Sequence, residues 1–81
     1  MTVQAYILIQ TEVGKAAAVA ASIAAIKGVT MAEDVTGPYD VVVRVGAATL
    51  DALQDDVVPQ VQQVTGITRT LTCPIAGGGQ P

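Results

Sequence analysis

The sequence has no histidine, no tryptophan and no phenylalanine, and it carries one cysteine and two tyrosines in 81 residues. Without histidine and with a single thiol, no transition-metal cage can be assembled and the commonest general base is missing. Cys73 has no partner for an intrachain disulfide, which points to a reducing, cytoplasmic setting. Positive charge is scarce too: four Lys and Arg against seven Asp and Glu leave a net charge of −3. Lys15, Lys27, Arg44 and Arg69 stand singly, so no basic face is offered to phosphates and direct nucleic-acid binding is not expected. The longest apolar stretch, Ala16 to Ile26, is well short of the ~20 residues a membrane span needs, and no basic segment at the N-terminus precedes it. No membrane partner, cofactor or metal is expected.

What remains is half apolar, at 51% hydrophobic residues, with Ala and Val together supplying 26 of the 81. A core of such small side chains is thin and lets a helix lie close to a sheet. The length allows one domain. A chain of this size buries only ~60% of its unfolded surface, so self-association is expected.

Val3 to Gln10 alternates Val3, Ala5, Ile7 and Ile9 against Gln4, Tyr6, Leu8 and Gln10, which is strand period. Thr11-Glu12 has the chemistry of a helix start. Gly14 to Lys27 follows as a helix with Ala16, Val19, Ile23 and Ile26 on one face, closed by Lys27-Gly28. A second strand is expected from Val29 to Thr36, then a turn at Gly37-Pro38-Tyr39-Asp40. The run Val41-Val42-Val43-Arg44-Val45 is continuous rather than alternating, as in a central strand. Thr49 caps a second helix with Leu50, Leu53, Val57, Val61 and Val64 along one face, and Pro59 should kink or break it near Val58. Gly66 ends that helix. Ile67 to Cys73 alternates as a last strand, with Ile67, Arg69, Leu71 and Cys73 opposite Thr68, Thr70 and Thr72, and Pro74 stops it.

The order is β-α-β-β-α-β, with a faint internal echo: helix, Gly28-Val29-Thr30, strand, and later helix, Gly66-Ile67-Thr68, strand. Two interleaved βαβ halves give an α+β, ferredoxin-like fold: a four-stranded antiparallel sheet with both helices on one face. Residues 1–74 form this domain, and 75–81, rich in glycine, form a flexible tail. Two helices cover one side of the sheet, yet the strands are apolar on both sides. The economical cover for the other side is a second copy of the chain, sheet against sheet.

Few residues are arranged for chemistry. Asp55 and Asp56 are adjacent on a helix and point about 100° apart, which suits a solvated face better than paired acid–base work. Cys73 has no imidazole nearby and reads as a small apolar filler or, alternatively, a reactive thiol. The threonine stripe of the last strand is either ordinary β-branched strand chemistry or a row of hydroxyls lining a polar pocket. At Gly37-Pro38-Tyr39-Asp40 a hairpin accounts for the glycine and proline. It leaves unexplained why one of two aromatic rings and a carboxylate stand at the entry to an all-valine strand. Asp40 either bonds its own turn or accepts a ligand ammonium.

The run V-T-G-P-Y-D-V-V-V-R-V, the Asp51-x-Leu53 spacing, the valine-rich helix end and G-I-T-R-T-L-T before a proline resemble the effector-binding, or RAM, domain of the Lrp/AsnC family. The resemblance covers about Val3 to Cys73. It implies a ferredoxin-like α+β barrel that dimerises through its sheets, often assembles further, and binds a small effector, usually an amino acid, between subunits. It implies amino-acid-responsive transcription regulation rather than an enzyme, with no catalytic residues. Carried over residue by residue, Gly37, Tyr39 and Asp40 match the ligand-contacting turn, and Thr70 and Thr72 match hydroxyl positions on the last strand. Asp40 would accept from the ammonium, while backbone N–H groups and threonine hydroxyls would donate to the carboxylate. No helix-turn-helix segment precedes Val3, so a stand-alone effector domain is expected, with full-length relatives of the family as further partners. Pro38 departs from the pattern by removing one backbone N–H from the turn. The competing readings are an assembly module without a ligand and a small dimeric barrel enzyme.

Overall fold

Four short apolar runs of strand length and two helical stripes are buried together by a sheet with helices packed on one side. In the computed structural model, which describes residues 3–75, the elements are β1 (Val3–Thr11), α1 (Ala16–Ala24), β2 (Val29–Asp34), β3 (Val41–Ala47), α2 (residues 50–62) and β4 (Ile67–Pro74). All strands pair antiparallel in the order β2-β3-β1-β4. This is the expected ferredoxin-like βαββαβ arrangement, and the continuous valine run lies, as expected, on an interior strand.

The core is what the composition requires. Ala5, Ile7 and Ile9 of β1 and Val41, Val43 and Val45 of β3 are fully buried against Val19, Ala20 and Ile23 of α1 and Leu53, Val57, Val58 and Val61 of α2. Each fully buried Val, Ile or Leu contributes about 1.5–3 kcal/mol, so these few contacts hold most of the fold. The intervening residues Gln4, Tyr6, Leu8, Val42 and Arg44 are half-buried on the face away from the helices.

The internal echo is a structural repeat. Gly28 and Gly66 both have left-handed backbones, φ +97° and +102°. After each, one β-branched residue turns to the core and the next, Thr30 or Thr68, is skipped in the pairing as a bulge. The two glycines are packed crosswise. A Cβ on Gly28 would meet Val57 of α2, and a Cβ on Gly66 would meet Val19 of α1. Each half therefore turns its corner against the other half's helix, an approach open to glycine alone.

The boundaries differ from expectation where bulges and turns intervene. Thr11 ends β1 rather than starting a helix, because its N–H is bound by Asp40 across the sheet. Helix α1 begins at Ala16 after a turn at Gly14, φ +80°, with Lys15 at the cap position and no side-chain cap. It ends at Ala24, short of Lys27. Strand β2 stops at Asp34, not Thr36. The bulge at Thr68 puts Ile67 on the helix face, partly buried against the core, while Arg69, Leu71 and Cys73 pair with Gln10, Leu8 and Tyr6 on the other.

Thr49 caps α2 as expected, its Oγ1 accepting from the Ala52 N–H at 3.0 Å. Pro59 neither breaks the helix nor ends it. The chain runs from α-helix (Leu50–Ala52) through a widened π turn (Leu53–Val57) back to α-helix (Val58–Gln62). A residue without an N–H is accommodated there by the wider turn just ahead of it. Pro74 is tolerated because β4 is an edge strand. Pairing continues one residue past it, the Ile75 N–H donating to the Gln4 carbonyl at 2.9 Å. The rest of the expected tail, 76–81, lies outside the described residues.

Candidate functional site

The strand order puts the end of β1 beside the start of β3, so the segment between β2 and β3 is fastened by β1. The Asp40 N–H donates to the Ile9 carbonyl and the Val35 N–H to the Asp40 carbonyl, both at 2.8 Å. The Gln10 side-chain amide donates to the Pro38 carbonyl at 3.0 Å. The Thr11 N–H donates to Asp40 Oδ2 at 2.8 Å, with the Thr11 hydroxyl 3.5 Å from the same oxygen. Asp40 thus serves as a long-range clasp, bonding a residue 29 positions away rather than its own turn. A carboxylate accepting a backbone N–H is a strong, charge-assisted contact.

Gly37 is exposed at the turn's tip with φ +152° and nothing within 4 Å of an added Cβ. Tyr39 and Asp40 are half-buried behind it. The structure therefore brings Gly37, Tyr39 and Asp40 together, with one Asp40 oxygen held by Thr11.

Thr70 and Thr72 stand elsewhere. They pair with Ile9 and Ile7, whose side chains enter the core, so the two threonines are on the helix side of β4. Both are half-buried, and Thr70 Oγ1 accepts from the Gln62 amide of α2 at 3.3 Å. β4 is separated from β3 by β1, a span of about 10 Å at ordinary strand spacing. Within one chain the hydroxyls do not converge on the Asp40 turn. The fastening residues Gln10 and Thr11 were not picked out by sequence pattern, since both look like ordinary strand and cap residues. The fold topology is the signal that finds them, because it makes the end of β1 the neighbour of Asp40.

The second notable surface is the sheet face away from the helices. Leu8 and Leu71 are cross-strand partners there, beside Val42, and Leu71 is 45% exposed. Arg44 crosses the same face, its guanidinium 5.5 Å from the Tyr6 ring centroid and hydrogen-bonded to the Tyr6 hydroxyl and the Gln4 side-chain oxygen. Cys73, a free thiol, is half-buried opposite Tyr6. Among the described residues no group of three or more Cys, Asp or Glu is disposed to hold a metal, and no helix is long and apolar enough to cross a membrane.

Comparison with known proteins is concordant. Residues 4–76 match the model of the Lrp/AsnC ligand binding domain. TTHA0845 from Thermus thermophilus is 30% identical with a TM-score of 0.82, the match covering 91% of this chain and 92% of that one. AsnC of Escherichia coli is 26% identical with a TM-score of 0.79 over 90% of this chain, which spans 50% of AsnC. The transcriptional regulator NMB0573 of Neisseria meningitidis, solved as an L-Met complex, shares the fold at 18% identity and a TM-score of 0.75, over 91% of this chain and 49% of that one. No curated protein sequence matches the chain.

Proposed function

The chain belongs to the Lrp/AsnC ligand-binding domain family, a regulatory effector-binding domain, and from that premise we propose that it binds a free amino acid at the β2–β3 turn, between subunits of a dimer or larger assembly. Binding there takes part in amino-acid-responsive regulation in the cytoplasm, without contact to DNA by this domain and with full-length family members as further partners.

The observation that carries this reading is the Asp40 carboxylate, held at the turn through Oδ2 by the Thr11 N–H. A clasped carboxylate beside a glycine tip and a tyrosine is a preorganised acceptor for an ammonium group. The ligand's carboxylate then needs donors that the same turn is short of, because Pro38 has no N–H. Thr70 and Thr72 supply hydroxyls, and since β1 separates them from the Asp40 turn in their own chain, they come from a neighbouring subunit of the larger assembly, packed at the β4 edge rather than on the open sheet face. That NMB0573 was solved with L-Met makes amino acids the class to test first. A second reading, an assembly module without ligand, is favoured by the same Thr11 contact, which already gives Asp40 a structural task. In either reading residues 1–74 act as one domain.

Thermal stability in the presence of each of the twenty amino acids separates the two. A ligand at ~100 times its dissociation constant adds ~2.7 kcal/mol. Asp40→Asn keeps an oxygen for Thr11 and loses the charge, so it should keep most of the unliganded stability and lose the ligand-induced rise. No rise for any amino acid at millimolar concentration would leave the assembly reading standing alone.

A further inference from the structure

Among the described residues Arg44 is the only cation on an interior strand, and its place on the sheet is unusual. Its neighbours Val43 and Val45 are fully buried in the core, so Arg44 crosses the opposite face, half-buried among Tyr6, Leu8 and Val42. Its two hydrogen bonds go to neutral oxygens, those of Tyr6 and Gln4, and it lies over the Tyr6 ring. Those contacts orient the guanidinium without balancing its charge. If the dimer of the proposed function packs sheet against sheet, so that a second copy covers this face, Arg44 loses its remaining water, and an unpaired charge so buried is strongly unfavourable.

Resting on that dimer, we infer that Arg44 of each subunit is paired with Glu33 of the partner subunit across the sheet face. Of the described residues on this face, Glu33 is the acid: it pairs with Val42 on β3, shares that residue's side of the sheet, and is exposed. Asp34 pairs with Val41 on the core side, and the Asp40 carboxylate is taken by Thr11. Within one chain Glu33 is a diagonal neighbour of Arg44, yet Arg44 is turned the other way, toward Gln4. Arg69 also faces this side, but it is exposed on an edge strand and keeps its hydration. A two-fold axis makes every such contact twice, so one complementary pair becomes two. The partner of this surface is therefore a second copy of the chain, selected by charge as well as by apolar fit.

Charge reversal on separate chains tests the pairing. In Glu33→Arg homodimers both contacts become cation against cation, and in Arg44→Glu homodimers both become acid against acid. An equimolar mixture restores two opposite-charge pairs in the heterodimer. Sedimentation of each variant alone should show dimerisation weakened at least ~tenfold, and the mixture should return to within about threefold of the unaltered protein. A mixture no better than its components, or either variant dimerising normally alone, would overturn the pairing while leaving the dimer intact. So would rescue of Glu33→Arg by Arg69→Glu in place of Arg44→Glu. A monomeric unaltered protein would overturn the dimer and the pairing together. Should Arg44→Glu fail to fold, Arg44→Gln and Glu33→Gln replace the swap. The double variant should then dimerise no more weakly than the weaker single, and additive losses would count against the pair.

Discussion

Replacing Gly28 with alanine tests the crosswise packing of the two halves. The added Cβ would lie 2.8 Å from Val57 Cγ2 and 3.2 Å from the Gly46 carbonyl oxygen. A valine methyl can shift, but Val57 lies on α2 and is buried in the core, and the Gly46 oxygen is backbone. Overpacking of this kind costs about 1–3 kcal/mol. The left-handed backbone, φ +97°, adds about 1–2 kcal/mol for a residue with a Cβ. Lower entropy of the unfolded chain returns about 0.4–1 kcal/mol. The net loss is about 1–4.5 kcal/mol, centred near 3, which for a domain of this size lowers the melting temperature by roughly 5–35 °C. Gly14→Ala is the control: φ is +80° and nothing lies within 4 Å of the new Cβ, so only the backbone cost of about 1 kcal/mol remains. Gly66→Ala, with Val19 Cγ2 at 3.1 Å, should fall between them. Thermal unfolding of the three variants measures the series. Equal losses at Gly28 and Gly14 would refute the packing argument, since backbone strain alone would then explain both.

Three other outcomes are expected. Thr49→Ala removes the oxygen that accepts the Ala52 N–H and should cost about 1 kcal/mol in urea unfolding. Leu71→Asp, at a residue 45% exposed on the open sheet face, should leave the single chain folded by circular dichroism and abolish dimers by light scattering. Leu50→Asp, equally exposed but at the start of α2, should leave assembly unchanged. Asp40→Ala frees the Thr11 N–H and should cost about 1.5–3 kcal/mol, whereas Asp40→Asn should recover most of that, which chemical denaturation resolves.

The fold was legible because its signals are local and repeated. Alternation in β1, the valine run of β3, the Thr49 cap and the paired Gly-Val-Thr and Gly-Ile-Thr corners each specify a piece, and only one topology joins them. The reversed face of Ile67 has a specific cause. At Thr11 and Ile67 a bulge shifts the pairing by one residue, and a single shift moves a side chain to the other face of a sheet. Pattern reading assumes unbroken period two and cannot register it. The turn residues of the candidate site stand out in composition, because an aromatic and a carboxylate lie beside Gly37-Pro38 in a chain with two aromatic rings. The clasp to Thr11 was not, since it spans 29 residues and depends on which strands are neighbours. Thr70 and Thr72 were legible as a stripe, but their separation from Asp40 follows from strand order, with β1 lying between them.

The central claim is that an amino acid is held at the Asp40 turn between subunits. A crystal structure of the protein grown with an amino-acid mixture tests it most directly. Density for one amino acid is expected, with its ammonium on the Asp40 carboxylate and its carboxylate near Thr70 or Thr72 of a neighbouring subunit. An empty turn in a saturated crystal, or an amino acid bound away from Asp40, would contradict it.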